Sequence, residues 1–345
     1  MSAIAETTEM DWRAEEERWV LPTYGKFPFV IRGGQGHFVE DEKGNRYLDL
    51  YSGHAVTLLG HCPKPVVDAI RSQAGKLIFY SNLVYSEGRA RAAHALVELC
   101  GVLGGQVFFC NSGTEANESA LRIARLATGR GKVVATYGSF HGRTAGSLAV
   151  TGLAKYKFGL TDIGLEAVHV PFGDIKAARA AIKDDVAAVI VEPIQSMSGI
   201  VTPTASYLQG LARACKKAGA LLIFDEVQTG LGRVGAPTAA KAFGVKPDLL
   251  TFAKALGSGV PCGAVVATKA AAGRLKPNDL GSTFGGGPLA CAAMEATLGE
   301  ILETKAWLTA RRLEGLIRKR LSIPLVKSIR GKGLMLGLLL AKPAR

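Results

Sequence analysis

Across the middle of the chain, short apolar runs alternate with segments of helix length. Residues 106–110, 132–137, 187–191, 220–224, 248–252 and 263–268 read as strands, and 114–128 and 207–218 as helices between them. That alternation is the pattern of βαβ units, so the expected fold class is α/β with a mainly parallel central sheet. Upstream, 37–40 and 46–50 flank the turn Asp41-Glu42-Lys43-Gly44-Asn45 and predict a hairpin outside that sheet. Downstream, 294–321 reads as one helix, followed by strands 325–329 and 333–340 around Arg330-Gly331-Lys332. The organisation expected is a large domain over 51–293 and a smaller α+β domain built from 1–50 and 294–345.

Composition adds little to this picture except charge. The 345 residues are 48% hydrophobic and 21% charged, ordinary for a globular enzyme, and a core of this size requires no disulfide or metal. A net charge of +13 suits phosphorylated or carboxylated ligands and equally nucleic acid. The clusters Arg311-Arg312 and Arg318-Lys319-Arg320 carry no interleaved aromatics, so they read as a solvated helix face and no nucleic-acid partner is expected. Six cysteines without Cys-x-x-Cys or histidine partners at zinc spacing indicate reduced thiols, no metal site and a cytoplasmic setting. Residues 1–19 hold six acidic residues and no apolar run, which predicts neither a signal peptide nor a membrane span. The sequon Asn117-Glu118-Ser119 falls within a predicted helix and is discounted.

Ligands of open α/β sheets gather beyond the carboxyl ends of the strands. The residues there are Asn111-Ser112-Gly113-Thr114, Ser139-Phe140-His141-Gly142-Arg143, Glu192-Pro193, Asp225-Glu226-Val227-Gln228 and Ala253-Lys254. Ser112-Gly113-Thr114 opens a helix whose first N–H groups suit a phosphate; alone, it reads as well as a plain N-cap. Lys254, just past an apolar strand, is placed to lose its proton by desolvation and act as a neutral amine, although such lysines also snorkel to the surface. Asp225 is a site acid, a helix cap or a surface charge. A lysine for an aldehyde, a carboxylate for a ring nitrogen and a phosphate cradle together match the needs of pyridoxal phosphate.

The same residues resemble a known family. Tyr47-Leu48-Asp49-Leu50, residues 111–117, Phe140-His141-Gly142-Arg143-Thr144, residues 224–230 and Phe252-Ala253-Lys254-Ala255-Leu256-Gly257 resemble the class III aminotransferases of pyridoxal phosphate fold type I, with the acetylornithine-using members the nearest match. The resemblance runs from Tyr24 to Leu340. It implies Lys254 as the Schiff-base lysine and proton carrier, Asp225 at the pyridine nitrogen, Phe140 on the ring face and Gln228 near the ring hydroxyl. Ser112, Gly113 and Thr114 hold the phosphate, and Thr283 reaches the phosphate of a neighbouring subunit in a homodimer. Arg143 binds the substrate carboxylate. Glu192 stands on the substrate side, where it also reads as an acid capping local structure.

The activity implied is transfer of the terminal amine of N2-acetylornithine, or a related ω-amino acid, to 2-oxoglutarate, as in arginine biosynthesis. Ornithine, 4-aminobutyrate, succinylornithine or a carrier-bound lysine precursor are the alternative donors. A further departure is Gly60-His61-Cys62-Pro63-Lys64-Pro65, where the family usually has another histidine. The family also continues past the point where this chain reaches Arg345, with an arginine for the 2-oxoglutarate carboxylate. The 294–345 segment therefore reads as a truncated part of the small domain, and a weakly active or non-catalytic homologue stays open, against which Lys254 and Asp225 both stand.

Overall fold

The computed structural model describes residues 10–159 and 164–342; the acidic Glu6 and Glu9 and the terminal residues 343–345 lie outside the described residues. Twelve strands are present among them: β1 (Ile31–Gln35), β2 (Phe38–Asp41), β3 (Arg46–Leu48), β4 (Gln106–Cys110), β5 (Lys132–Thr136), β6 (Ala167–Val170), β7 (Val186–Val191), β8 (Leu221–Asp225), β9 (Leu249–Phe252), β10 (Gly263–Ala267), β11 (Val326–Lys332) and β12 (Met335–Leu340). Seven of them form one sheet in the order β4-β10-β9-β8-β7-β5-β6. Strands β5 to β9 run parallel, while β10 is antiparallel to both β9 and β4.

The sheet is covered on both faces, which is why β7, Val-Ala-Ala-Val-Ile-Val, is buried at every position. Val189, Val191, Leu222 and Phe224 pack to one side with Leu208, Leu211 and Leu298 from helices Ala205–Ala218 and Pro288–Thr304. Their neighbours Ala188, Ile190 and Ile223 face the other way, onto Ala116, Ala120 and Ile123 of helix Gly113–Thr128. The strand period of two thus divides one apolar run between two cores. Asn117 is buried in that helix, which leaves no accessible sequon.

Several expectations are corrected. Residues 294–321 are not one helix: Pro288–Thr304 and Ala306–Arg320 are separated at Lys305, whose φ of 50° breaks the α-helical path. The final hairpin turns at Gly333, φ 59°, so Arg330-Gly331-Lys332 belongs to β11 and not to the turn. Strands β1 and β6 were not anticipated. The hairpin β2–β3 is present, its turn closed by Asp41, which accepts from the N–H groups of Lys43 and Asn45 at 2.9 and 2.8 Å. Strands β1–β3 and β11–β12 form two separate small sheets. The basic helix is only partly a solvated face. Arg318 donates to the Ile329 and Gly331 carbonyls, both at 2.8 Å, and Arg311 donates to the Gly235 carbonyl at 2.9 Å.

Glu226, next to the strand-end acid Asp225, has a structural task. Its Oε2 accepts from the Ala239 N–H and the Thr229 hydroxyl, both at 2.8 Å, and its Oε1 from the Ala240 N–H at 2.7 Å, so it anchors the start of helix Ala239–Phe243. Burial pushes its carboxyl from the ordinary 4.5 up to about 7, against the pull of those N–H groups. The folded state therefore holds a proton that the unfolded state has released between those two values, and the contribution of Glu226 to stability falls as pH rises through that window. Glu226→Gln, which lacks this titration, should unfold about 1–3 kcal/mol more easily than the parent near pH 4.5. In urea titrations the gap should narrow toward neutral pH; a widening gap contradicts the account.

Candidate active site

Strand β4 delivers Asn111 and Ser112 to the start of helix Gly113–Thr128. Ser112 Oγ accepts from the Glu115 N–H at 3.2 Å, and Glu115 Oε2 returns to the Asn111 N–H at 3.0 Å, a reciprocal cap. Ser112 is thus the N-cap, and the Gly113 and Thr114 N–H groups have no protein acceptor among the described residues. A Cβ on Gly113 would stand 3.1 Å from Val227 Cγ1, so only glycine sits there without displacing the residue after Asp225-Glu226. The result is a helix N-terminus with open donors, suited to an anion.

Asp225 closes β8 and is 4% exposed. Its Oδ2 accepts from Asn117 Nδ2 and lies against His141 Nδ1, both at 2.8 Å, while Oδ1 accepts from the Val227 N–H at 3.1 Å. Asn117 is fixed in turn: Nδ2 also donates to the His141 carbonyl at 2.7 Å, and Oδ1 accepts from the Thr251 hydroxyl at 2.8 Å. Sequence reasoning missed Asn117 and His141 as site residues. The available signals were the spacing of Asn117 from Thr114, one turn along the same helix face, and the place of His141 beside Phe140.

Lys254 follows β9 at the head of a single tight turn, Lys254–Gly257, with φ of 45°. A side chain in that region costs on the order of 1–2 kcal/mol. Burial pushes its amine below the ordinary lysine range, with the charges of Asp225 and Glu192 pulling the other way. Among the described residues Lys254 makes no hydrogen bond through its side chain, so the amine is available to a carbonyl carbon.

Glu192 accepts from the Phe140 N–H at 2.8 Å and from the N–H and hydroxyl of Ser196, both at 3.3 Å. Burial raises its carboxyl to about 7. It therefore lines the cavity and caps local backbone at once. Gln228 Nε2 donates to the same Ser196 hydroxyl at 2.5 Å. The Phe140 ring meets Tyr156 edge-on at 5.1 Å, and the exposed Arg143 guanidinium lies 4.7 Å above the Tyr156 ring, without a carboxylate partner among the described residues.

One cavity of about 640 Å³ gathers Ser112, Gly113, Thr114, Phe140, Arg143, Glu192, Asp225, Gln228 and Lys254. Tyr24, His54, Val56 and Tyr156 also line it, none of them anticipated as site residues. Thr283 lies elsewhere, in a second cavity with Phe79 and Asn82. Its loop is tied to the first site through Asn111 Nδ2, 3.3 Å from Ser282 Oγ.

The family model for aminotransferase class-III matches residues 20–345. An acetylornithine aminotransferase of Methanopyrus kandleri is 44% identical over 330 residues, 95% of this chain and 85% of that protein. Its counterpart in Mycolicibacterium smegmatis is 45% identical over 338 residues, again 95% and 85%. Among solved structures, the ornithine aminotransferase of Toxoplasma gondii superposes with a TM-score of 0.90 at 32% identity, covering 96% of this chain and 82% of that one. The acetylornithine aminotransferase of Elizabethkingia anophelis gives 0.82 at 30% identity, with coverage of 96% and 84%. A depressed lysine amine, a fixed buried carboxylate and an open helix N-terminus in one cavity thus accompany a match over nearly the whole sequence, and the chain belongs to the class III aminotransferases.

Proposed function

We propose that this chain transfers the terminal amine of N-acetylornithine to 2-oxoglutarate with pyridoxal phosphate as cofactor. One observation carries the reading: Lys254, Asp225 and the free Gly113 and Thr114 N–H groups open onto the same cavity. Those residues suit the group chemically. Lys254 would hold the aldehyde end, Asp225 the ring nitrogen, and Gly113, Thr114 and the Ser112 region the phosphate, with Phe140 and Val227 lining the space between. When bound, the cofactor supplies an electron sink for the carbon whose C–H bond breaks.

The remaining work falls to the chain's own side chains. Asn117, His141 and the Val227 N–H keep the Asp225 carboxylate from turning away. Lys254 Nζ, once free, takes the proton from the amine-bearing carbon and returns it later. Arg143 binds the distant carboxylate with its planar fork, which brings the terminal and not the α-amine to Lys254. Phe140 and Tyr156 wall off one side of the cavity.

A homodimer forms part of the proposal, with Thr283 serving the partner's phosphate site. Beside Thr283, the segment from Leu77 to Tyr85 exposes Ile78, Tyr80 and Leu83, the last at 94%, an apolar surface that a second copy would cover. The division into a large unit over 51–293 and a small one from the two ends accompanies this reading. Ornithine is the second candidate donor, favoured by the 0.90 superposition on the Toxoplasma enzyme.

Mixing the purified chain with pyridoxal phosphate should give a visible absorbance band that Lys254→Ala lacks and that N-acetylornithine bleaches; a band that ornithine bleaches and N-acetylornithine does not would move the donor. His141→Leu should lower kcat roughly tenfold or more, at about 1.4 kcal/mol per decade, with little change in KM, and His141→Asn, which keeps a donor at the Nδ1 position, should recover part of it. Equal loss in both variants would assign His141 to packing alone. Sedimentation should show a dimer that Leu83→Asp dissociates with weaker cofactor binding; an active monomer would remove Thr283 from the scheme.

A further inference from the structure

After β3 the chain enters a turn in which four consecutive residues take positive φ: Ser52 at 53°, Gly53 at 51°, His54 at 73° and Ala55 at 61°. Only Gly53 does so freely; the others each carry a cost on the order of 1–2 kcal/mol. Such a turn persists where its surroundings impose it, and strain of this kind gathers at functional sites. Asp49 imposes it here. Its Oδ2 accepts from the Gly53 N–H at 2.7 Å and lies 2.8 Å from His61 Nε2, and its Oδ1 accepts from the Tyr51 N–H at 2.9 Å. What the turn delivers is His54, whose side chain lines the cavity that holds Lys254.

Tyr51 fixes the ring. Its hydroxyl meets His54 Nδ1 and the two rings stand edge-on at 5.1 Å, while Nε2 has no protein partner among the described residues. Partial burial, with the charge of the nearby Lys254 as a second cause, pushes the imidazole below its ordinary range.

We infer that His54 determines donor specificity: with Tyr51 donating to Nδ1, the ring carries its proton on Nε2 and offers it to the carbonyl oxygen of an acyl group on the donor's α-nitrogen. The inference rests on the proposed function. The charged Arg143 is the better partner for the donor's carboxylate, and an uncharged N–H suits the amide carbonyl. A free α-ammonium has no acceptor to give, so an unacylated donor forgoes the hydrogen bond from His54.

The test compares kcat/KM for N-acetylornithine and ornithine in the parent, His54→Leu, His54→Asn and His54→Gly, together with thermal melts. His54→Leu should reduce the N-acetylornithine to ornithine ratio at least tenfold, mainly through KM, and His54→Asn should restore part of it through its side-chain N–H. His54→Gly should lose the same preference with no fall in Tm, because glycine takes the φ of 73° without penalty, whereas a ring needed only for packing would take Tm down with it. A parent that uses both donors and a Leu variant with the same ratio overturn the inference and leave the proposed function standing. A parent that does not use N-acetylornithine overturns both.

Discussion

Everything around the cavity answers to the burial of one carboxylate. An ionised acid withdrawn from water costs several kcal/mol unless donors surround it, and Asp225 is almost wholly enclosed. Its three partners come from three parts of the chain: the helix after β4, the loop after β5 and the backbone just past β8. Asn117 then extends the network to Thr251 in β9, next to the turn that carries Lys254. The acid and the lysine are therefore positioned by one connected set of hydrogen bonds that spans four strand ends.

The sheet makes that convergence possible. In a parallel run every strand releases its residues on the same side, so β5, β7, β8 and β9 bring Phe140, Glu192, Asp225 and Lys254 to one opening. The reversed strand β10 lies between β9 and β4, and its Gly263 passes so near the Ser112 carbonyl that a Cβ would stand 2.4 Å from it. The helix with the open N–H groups is thereby set directly against the start of β10, with no room there for a larger residue.

Legibility in the sequence followed local physics. Strand β4 was read to the residue, and β7 to β10 within one residue at each end, because each is a mainly apolar run bounded by polar or glycine positions. Strand β1, Ile-Arg-Gly-Gly-Gln, has no apolar pattern to detect, and β6 is a short Ala-Val-His-Val with a histidine inside. The break at Lys305 is a backbone conformation unannounced by glycine or proline. Lys254 and Asp225 were visible because they follow apolar runs. Asn117 and His141 were not, since a polar residue in a helix or loop looks the same in sequence whether it meets water or a buried anion. His54 and Tyr24 reach the cavity from a segment whose position depends on tertiary packing.

Asp225 and Glu226 are adjacent acids with opposite assignments, one turned to the cavity and the other to the start of helix Ala239–Phe243. Because successive side chains along a strand face opposite ways, loss or gain of a single residue in β8 would exchange them. The longer glutamate would then enter the space fitted to aspartate, and the aspartate would fall short of two backbone N–H groups. Composition at that point would look intact, with an acid in each place. Insertions and deletions within β8 are therefore far less tolerable over evolutionary time than substitutions among its apolar residues, and the length of this strand is as much a part of the inheritance as the identity of its acids.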